Sequence, residues 1–211
     1  MIEYIVPGNI DHRILQRAAE HLKSGRLVAH PTDTSWHISC AASSANGIEA
    51  LKKLKAGAKA YLFTLLADDI SQASSIAEIS TSQYKIIHRL APGPYVFVLT
   101  ARRKLEKLTG MKRREVGIRL PSDPVSRALI HTLQEPLFSI TAARSMDNQN
   151  LWTAEFAEEN LFEMGWELED IPALACILDS GDPLDKHLTT VLNLTGGEFT
   201  TIRQGVGPSP F

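Results

Sequence analysis

Residues 27–41 read LVAHPTDTSWHISCA, in which two apolar stretches flank a short polar turn. The first stretch, Leu27–His30, predicts a buried strand that ends at a proline, and the second, Trp36–Ala41, predicts another strand. The turn, residues 32–34, carries two hydroxyls and one carboxylate. In open α/β sheets ligands gather where strands end, so this turn is a candidate binding site. The alternative is a turn whose polar side chains only satisfy local backbone groups.

Short strand-like runs alternate with helical patterns along the rest of the chain. Asp11 is a predicted N-cap for a helix that ends before Gly25. Further strands are predicted at Tyr61–Leu66, Tyr95–Thr100, Val116–Leu120, Pro136–Ser139, Ala173–Leu178, Thr189–Leu194 and Thr200–Arg203, and further helices at Ile48–Leu54, Gln83–Leu90 and Asp123–Leu133. Because several connections are too short for crossover helices, we expect an α/β fold with a mixed sheet.

Length and composition favour one ordinary globular domain. The chain has 211 residues, of which 44% are hydrophobic and 22% charged, and this composition excludes a disordered chain. Its two cysteines, Cys40 and Cys176, exclude a disulfide scaffold and a four-cysteine zinc site. The seven histidines lack ligand spacing, so no metal site is predicted. The apolar runs are strand-sized, which predicts no membrane span and a cytoplasmic location.

Charge is distributed unevenly along the chain. Residues 1–150 carry 20 Lys/Arg against 13 Asp/Glu, whereas residues 151–211 carry 2 against 11. The basic first part suggests an anionic partner, either nucleotide phosphate or RNA. In the second part Thr153 can cap a helix, so we expect an acidic helical segment at about 152–170. Since the later strands would complete the same core, residues 1–211 are predicted to form a single domain.

Two clusters of cations each allow two interpretations. The first cluster follows a predicted helix and consists of Lys52, Lys53, Lys55 and Lys59. It is either a solvated helix end matched to the helix dipole or a phosphate clamp that faces the turn. The second cluster consists of Arg102, Arg103, Lys104, Lys107, Lys112, Arg113 and Arg114. It is either a solvated loop between strands or a surface that follows a nucleic-acid backbone.

Several segments, none of them a P-loop or a nucleophile elbow, together follow the pattern of a known family. The pattern PTDTxYGLGC aligns with residues 31–40, PGP with 92–94, VGxRxP with 116–121, PLxSTSAN with 136–143, STVxDL with 189–194 and RxG with 203–205. With these motifs in this order, the chain resembles the YrdC/YciO family, which contains the threonylcarbamoyl-AMP synthases.

The resemblance implies one YrdC-like domain, a twisted mixed sheet flanked by helices, with a concave basic face that holds ATP and threonine. By position it assigns Thr34, Arg119 and Thr141 to the amino-acid side, and Lys55 and Arg203 to the nucleotide. In the family, a carbamate formed from bicarbonate and threonine attacks ATP to give threonylcarbamoyl-AMP and pyrophosphate. ATP implies Mg²⁺. The product serves tRNA modification, and family members are linked to double-stranded RNA.

The chain departs from the synthase motifs at several positions. Gly57 stands where synthases have the arginine of Lys-x-Arg, and Ala143 where they have the asparagine of Ser-x-Asn. A glycine cannot replace the forked donors of a guanidinium, and Arg144 or Lys59 are hypothetical substitutes. Trp36-His37 replaces Tyr-Gly, which narrows the expected pocket. These departures resemble the YciO branch of the family rather than the synthase branch.

Three functional hypotheses follow, in order of preference. The first is a YciO-like protein that binds ATP or AMP, with a small amino acid, and/or tRNA or double-stranded RNA in the concave basic site, its catalytic motifs being degenerate. The second is a non-catalytic RNA-binding module. The third is an active L-threonylcarbamoyladenylate synthase, a nucleotidyltransferase that would use ATP with Mg²⁺. No catalytic residue is assigned under any of the three.

Overall fold

The computed structural model describes residues 1–55, 64–144 and 158–211. The strands in these ranges are β1 (Ile2–Tyr4), β2 (Leu27–His30), β3 (His37–Ala41), β4 (Thr64–Leu66), β5 (Tyr95–Thr100), β6 (Glu115–Arg119), β7 (Leu137–Thr141), β8 (Leu174–Asp179), β9 (Thr190–Asn193) and β10 (Thr200–Arg203). The α-helices are α1 (His12–Lys23), α2 (Ala45–Leu54), α3 (Ile70–Ile76), α4 (Thr81–Leu90), α5 (Arg103–Thr109) and α6 (Pro124–Leu133). Two 3₁₀ helices lie at Glu158–Asn160 and Gly165–Leu168. Every helix in these ranges is too short or too polar to span a bilayer.

The strands of the described ranges join one mixed sheet in the order β1-β8-β2-β3-β7-β4-β6-β5-β9-β10. Neighbours are parallel at β1/β8, β8/β2, β4/β6 and β5/β9. The other neighbouring pairs are antiparallel. Strands β2 and β3 pair with His30 opposite His37, so the 32–34 turn projects from the end of this pair. The mixed sheet predicted from the short connections is confirmed.

Local sequence explains where most elements begin and end. Strand β2 has the predicted bounds, and Asp11 caps α1 by accepting a hydrogen bond from Arg13 N at 2.9 Å. The strand predicted at Tyr61–Leu66 occurs as β4, and the first three residues of the predicted range lie outside the described ranges. Strand β1 and helices α3 and α5 are not predicted. In α5, a helix replaces the expected solvated loop because Leu105 and Thr109, one helical turn apart, are both buried.

The hydrophobic core occupies both faces of the sheet. One face carries the larger cluster, in which Trp36 and Phe97 are packed with side chains of α2, α3, α4 and α5. The opposite face packs against α1 and α6, where Leu15 and Leu129 meet Leu137 of β7. The two faces therefore enclose the sheet between helices, as the predicted α/β class requires.

Strands β3 and β7 send apolar and polar side chains to opposite faces. Ile38 and Phe138 join the larger cluster. The polar side chains that alternate with them point the other way, and they are His37, Ser39, Ser139 and Thr141. On that same face, Ala41 and Leu137 reach the cluster under α1 and α6. This face is thus apolar under the two helices and polar beyond them, and we call the second part the polar half of the sheet.

The acidic segment is helical only in its two short 3₁₀ helices over the described residues 158–170. The predicted N-cap Thr153 lies outside the described ranges. Trp166 is 60% exposed, whereas Leu161 and Leu168 are buried. At Gly165 the backbone approaches β8 closely, because an added Cβ would lie 2.3 Å from Asp179 Oδ2. The segment therefore packs through Leu161, Leu168 and the backbone at Gly165 rather than through one continuous helical face.

Candidate functional site

Arg119, the last residue of β6, is fully buried and reaches the turn between β2 and β3. Its Nη2 donates hydrogen bonds to Asp33 Oδ1 at 2.8 Å, Thr34 Oγ1 at 3.1 Å and Thr32 Oγ1 at 3.3 Å. The contact with Asp33 is an ion pair. One guanidinium thus holds all three polar residues of the turn, and it brings together two predicted site residues, Thr34 and Arg119.

The turn also has a hydrogen-bond pattern of its own. Thr32 Oγ1 donates to Ser35 O at 2.7 Å, and Thr32 N donates to the same oxygen at 3.1 Å. Thr32 therefore satisfies local backbone groups, as the simpler interpretation of the turn expects. The side chains of Asp33 and Thr34, like that of Thr32, also contact Arg119. The simpler interpretation therefore holds for Thr32, and the interpretation of the turn as a binding site stays a prediction.

Two buried polar atoms of the ion pair have no hydrogen-bond partner within the described ranges, Arg119 Nε and Asp33 Oδ2. Burial lowers the pKa of Arg119, and the charge of Asp33 opposes that shift. Buried donors and acceptors are satisfied in nearly all native proteins, so an orphaned pair needs an explanation. A polar ligand group or a water that contacts both atoms would supply one.

His37 extends this cluster across the polar half of the sheet. Its Nε2 lies 3.4 Å from Arg119 Nη1, and its Nδ1 lies 2.8 Å from Ser139 Oγ. Burial, assisted by the charge of Arg119, lowers the pKa of His37 well below 6.5, so the ring is neutral at physiological pH. Arginine has only donors, so His37 Nε2 must be the acceptor. The proton of the ring is therefore on Nδ1 and is donated to Ser139.

The hydrogen-bonded row continues from Ser139 to the first turn of α6. Ser39 Oγ donates to Ser139 Oγ at 2.9 Å, and His30 Nε2 lies 2.8 Å from Ser39 Oγ. On the other side of the ring, His30 Nδ1 lies 2.8 Å from Ser126 Oγ. Burial lowers the pKa of His30 to about 4, so this ring is neutral as well. The row is a continuous set of neutral polar groups beside one buried cation.

Asp123 caps α6 next to this row, and its Oδ1 accepts a hydrogen bond from Ser126 N at 2.7 Å. Burial raises the pKa of Asp123 to about 6, the hydrogen bond from Ser126 N opposes the shift, and the charge of Asp33 adds to it. A carboxyl group with a raised pKa near a buried arginine is typical of functional sites. In the part of the chain that is described, no three His, Cys, Asp or Glu side chains are grouped to hold a metal ion.

Thr141 and Lys55 are two further predicted site residues. Thr141 pairs with His37 across β3 and β7, so it lies on the polar half of the sheet. Lys55 is the C-cap of α2 and is 3% exposed, and burial lowers its pKa to about 8. The motif position Gly57 and the hypothetical substitute Lys59 follow Lys55 and lie outside the described ranges.

Arg203, the last residue of β10, is held by the segment that precedes β9. Its Nη2 donates to Thr189 O at 3.0 Å and to Thr189 Oγ1 at 3.1 Å. Two residues earlier, His187 N donates to Thr34 O at 3.0 Å. Arg203 is therefore connected to the 32–34 turn through one short strip of backbone, residues 187–189. Burial lowers the pKa of Arg203.

Arg144, the hypothetical substitute for the missing asparagine, points toward the acidic segment. It forms an ion pair with Glu167, and its guanidinium lies 5.0 Å from the centroid of the Phe162 ring. Its backbone N donates to Asn160 O at 2.8 Å. These contacts show Arg144 fixing the acidic segment to the end of β7, and they do not support a role as substitute for the asparagine.

The acidic segment also contacts the residues next to the turn. The fully buried Trp36 donates from Nε1 to Glu163 O at 3.1 Å, and Leu184 N donates to the same oxygen at 2.9 Å. The segment thus packs at the edge of the site, between the β2–β3 turn and the strip that holds Arg203.

Four polar partners behind the turn are not predicted from the sequence: His30, Ser39, Ser126 and Ser139. A usable signal exists for Ser39 and Ser139, because HISC at 37–40 and FSIT at 138–141 place a polar side chain at every second position. Such alternation within buried strands indicates a polar network. Ser126 carries no comparable signal, since one serine in the first turn of a helix has a common local role.

The fold and this site together define a class of protein: a mixed sheet whose polar half meets a β2–β3 turn fixed by a buried arginine. The model of the Sua5/YciO/YrdC family, described as telomere recombination, matches residues 20–205. The chain belongs to this family.

Relatives and solved structures agree with that assignment. YciO of Escherichia coli K12, named an uncharacterized protein, is 28% identical over 205 residues, which cover 97% of this chain and 95% of YciO. The human threonylcarbamoyl-AMP synthase is 26% identical over 198 residues, 90% of this chain and 67% of that protein. The crystal structure of E. coli YciO matches with a TM-score of 0.83 and 25% identity over 99% of this chain and 97% of that one. Sua5 of P. abyssi, complexed with L-threonine, matches with a TM-score of 0.81 and 21% identity over 97% of this chain and 57% of that one.

These comparisons confirm three predictions. The chain is a member of the predicted family, its similarity to YciO extends over nearly the whole of both chains, and its fold is a twisted mixed sheet flanked by helices. The roles assigned to Thr34, Arg119, Thr141, Lys55 and Arg203 stay predictions.

The raised pKa of Asp123 predicts a stabilising substitution. The folded state disfavours its charge, so the carboxylate destabilises the fold above about pH 6, and this cost disappears below the unfolded value of 3.8. Asp123→Asn keeps an N-cap oxygen. We expect this variant to be more stable than the wild type at pH 8, by up to about 3 kcal/mol, with the difference shrinking toward zero near pH 4. Urea unfolding at pH 8, 6 and 4 measures it.

Asp69→Asn is the matched control, because Asp69 is an exposed N-cap whose Oδ1 accepts from Gln72 N in α3. The free energy of unfolding of Asp69→Asn should show no comparable increase over the wild type at pH 8. A stability difference for Asp123→Asn that does not change between pH 8 and pH 4 would contradict the assigned environment.

Proposed function

We propose that this protein binds an adenine nucleotide, ATP or AMP, at the polar half of its sheet. The observation that carries the proposal is that two arginines are connected to one strand-end turn. Arg119 Nη2 lies 3.1 Å from Thr34 Oγ1, and Arg203 is held at Thr189, two residues from the hydrogen bond between His187 N and Thr34 O. Guanidinium groups suit phosphate, because they donate forked hydrogen bonds to its oxygens.

The cations assigned to the nucleotide are largely withdrawn from water. Burial lowers the pKa of both Lys55 and Arg203. An anion next to a desolvated cation is attracted more strongly than in bulk water, and its charge favours the protonated form of the cation. A bound phosphate would therefore offset the cost of burying these side chains. ATP would bring Mg²⁺ as part of its own substrate complex.

The relatives support the choice of ligands. One of them is named threonylcarbamoyl-AMP synthase, a name that specifies an adenylate product, and the Sua5 structure is complexed with L-threonine. A small amino acid is the second ligand that the family resemblance implies, on the side of Thr34, Arg119 and Thr141.

Calorimetry with AMP, and with ATP plus Mg²⁺, tests the nucleotide site. Arg203→Ala should weaken AMP binding roughly tenfold or more, because hydrogen bonds to charged groups contribute about 1.5–3 kcal/mol. Arg203→Lys keeps the positive charge but lacks the forked donors of a guanidinium. Its affinity for AMP should therefore lie between those of the wild type and Arg203→Ala.

Arg13→Ala removes an exposed arginine on α1 and is the control, which should leave the affinity unchanged. Urea unfolding of each variant separates a binding loss from a folding loss. If Arg203→Ala is folded and binds AMP as tightly as the wild type, the placement of Arg203 is wrong.

Synthase turnover is a second candidate function, favoured by the contact between Thr34 and Arg119. In that reaction a carbamate oxygen of N-carboxythreonine bonds to the α-phosphorus of ATP, and pyrophosphate leaves. Because Gly57 and Ala143 replace two polar side chains of the synthase motifs, we expect no pyrophosphate above a buffer control when the protein is mixed with ATP, Mg²⁺, threonine and bicarbonate. Threonine-dependent release would establish the synthase instead.

RNA binding in the concave face stays a prediction, and the described side chains of the site give it little support. Arg119 is fully buried and Lys55 nearly so, which leaves little cationic surface there for a phosphate backbone. The exposed cations of residues 102–114 lie elsewhere. They border the Glu115 end of β6, whereas Arg119 forms its other end.

A further inference from the structure

Arg119 already has an acceptor at each of its two terminal nitrogens. Nη2 contacts the 32–34 turn, and Nη1 lies 3.4 Å from His37 Nε2. A ligand carboxylate binds arginine best through two parallel hydrogen bonds, one to each oxygen. In this chain the imidazole of His37 stands at one of the donors that such a carboxylate would use.

The His37 ring is fixed in that position. Its residue belongs to β3 and pairs with His30 on one side and Thr141 on the other, so the backbone is part of the central sheet. The Nδ1 proton is donated to Ser139 Oγ at 2.8 Å, and Ser39 Oγ donates a second hydrogen bond to the same oxygen. The Nε2 lone pair is thereby directed at Arg119.

The same residues are closed to solvent. Thr34 is 2% exposed, His37 is 5% exposed and Ser139 is 1% exposed. The side predicted to receive an amino acid is thus filled with the protein's own side chains around Arg119.

We propose that His37 is the specificity-determining residue at the amino-acid end of the site. Its imidazole takes the position of a ligand carboxylate on Arg119, so the native chain binds its nucleotide without an α-amino acid. This inference rests on the proposed nucleotide function, because it concerns the second ligand of the same site. Removing the imidazole should expose a site for a small carboxylate between Arg119 Nη1 and Ser139 Oγ.

The test compares the wild type with His37→Ala, using sodium acetate and L-threonine as probes in calorimetry and in competition experiments. We expect His37→Ala to bind both probes roughly tenfold or more tightly than the wild type, a change of about 1.4 kcal/mol or more. Added imidazole should compete with acetate in this variant, because it can refill the space and accept from Arg119 again.

Two variants control for the loss of a buried ring. His30→Ala removes an imidazole whose centroid is 6.3 Å from that of His37, but which contacts Ser39 and Ser126 rather than Arg119. It should gain no affinity for acetate or threonine. His37→Gln keeps an acceptor that can reach Arg119, so it should bind acetate and threonine no more tightly than the wild type.

Equal threonine affinity in the wild type and in His37→Ala would overturn the proposal. A folded His37→Ala that binds neither probe would overturn it too. If His37→Ala fails to fold, Ser139→Ala replaces it. This variant removes the acceptor of the Nδ1 proton, so the His37 ring is held less firmly and the affinity for acetate and threonine should rise by a smaller factor. No gain in folded Ser139→Ala would then overturn the proposal. AMP binding in the same samples distinguishes the two proposals, since a carboxylate gain without AMP binding contradicts only the nucleotide function.

Discussion

The burial of the Arg119 guanidinium is the constraint on which the site depends. An arginine has five N–H donors and cannot lose its charge, so a fully buried one must be surrounded by acceptors and a counter-ion. Here the β2–β3 turn supplies Asp33 and two threonine hydroxyls, and β3 supplies a neutral histidine. The side chains of the turn thus supply the counter-ion and two hydroxyl acceptors for this one cation.

The surroundings of Arg119 follow from the same requirement. A second positive charge beside it would be costly, so His37 is neutral, and its proton is turned away toward Ser139. The sheet accommodates these groups by changing from an apolar to a polar face within β3 and β7. Natural proteins keep buried charges where function needs them more than stability does, so a buried cation of this kind is a candidate for a functional site.

Most of the fold could be predicted from the sequence, because strand and helix periods are local. Leu27–His30 and the Asp11 cap need no tertiary information. The sequence does not predict helix α5, because three of its seven residues are Lys or Arg, and only the burial of Leu105 and Thr109 shows which side faces the core.

The site was less accessible to prediction. Thr34 and Arg119 are 85 residues apart, and only resemblance to a family placed them together before the structure did. His37 stands where the family motif has a glycine. Its contact with Arg119 depends on strand register and twist, which the pattern of a single chain does not contain. The polar partners Ser39 and Ser139 had a signal in their alternation, whereas Ser126 had none.

A double-mutant cycle on the unfolding free energy tests most directly whether Arg119 and Asp33 act as one unit. The four proteins are the wild type, Asp33→Asn, Arg119→Met and the double variant. Asp33→Asn alone should cost about 3–5 kcal/mol, because it leaves a buried cation without its counter-ion. In the Arg119→Met background the same substitution should cost far less, since no cation remains. Two effects that add to within about 0.5 kcal/mol would contradict the account.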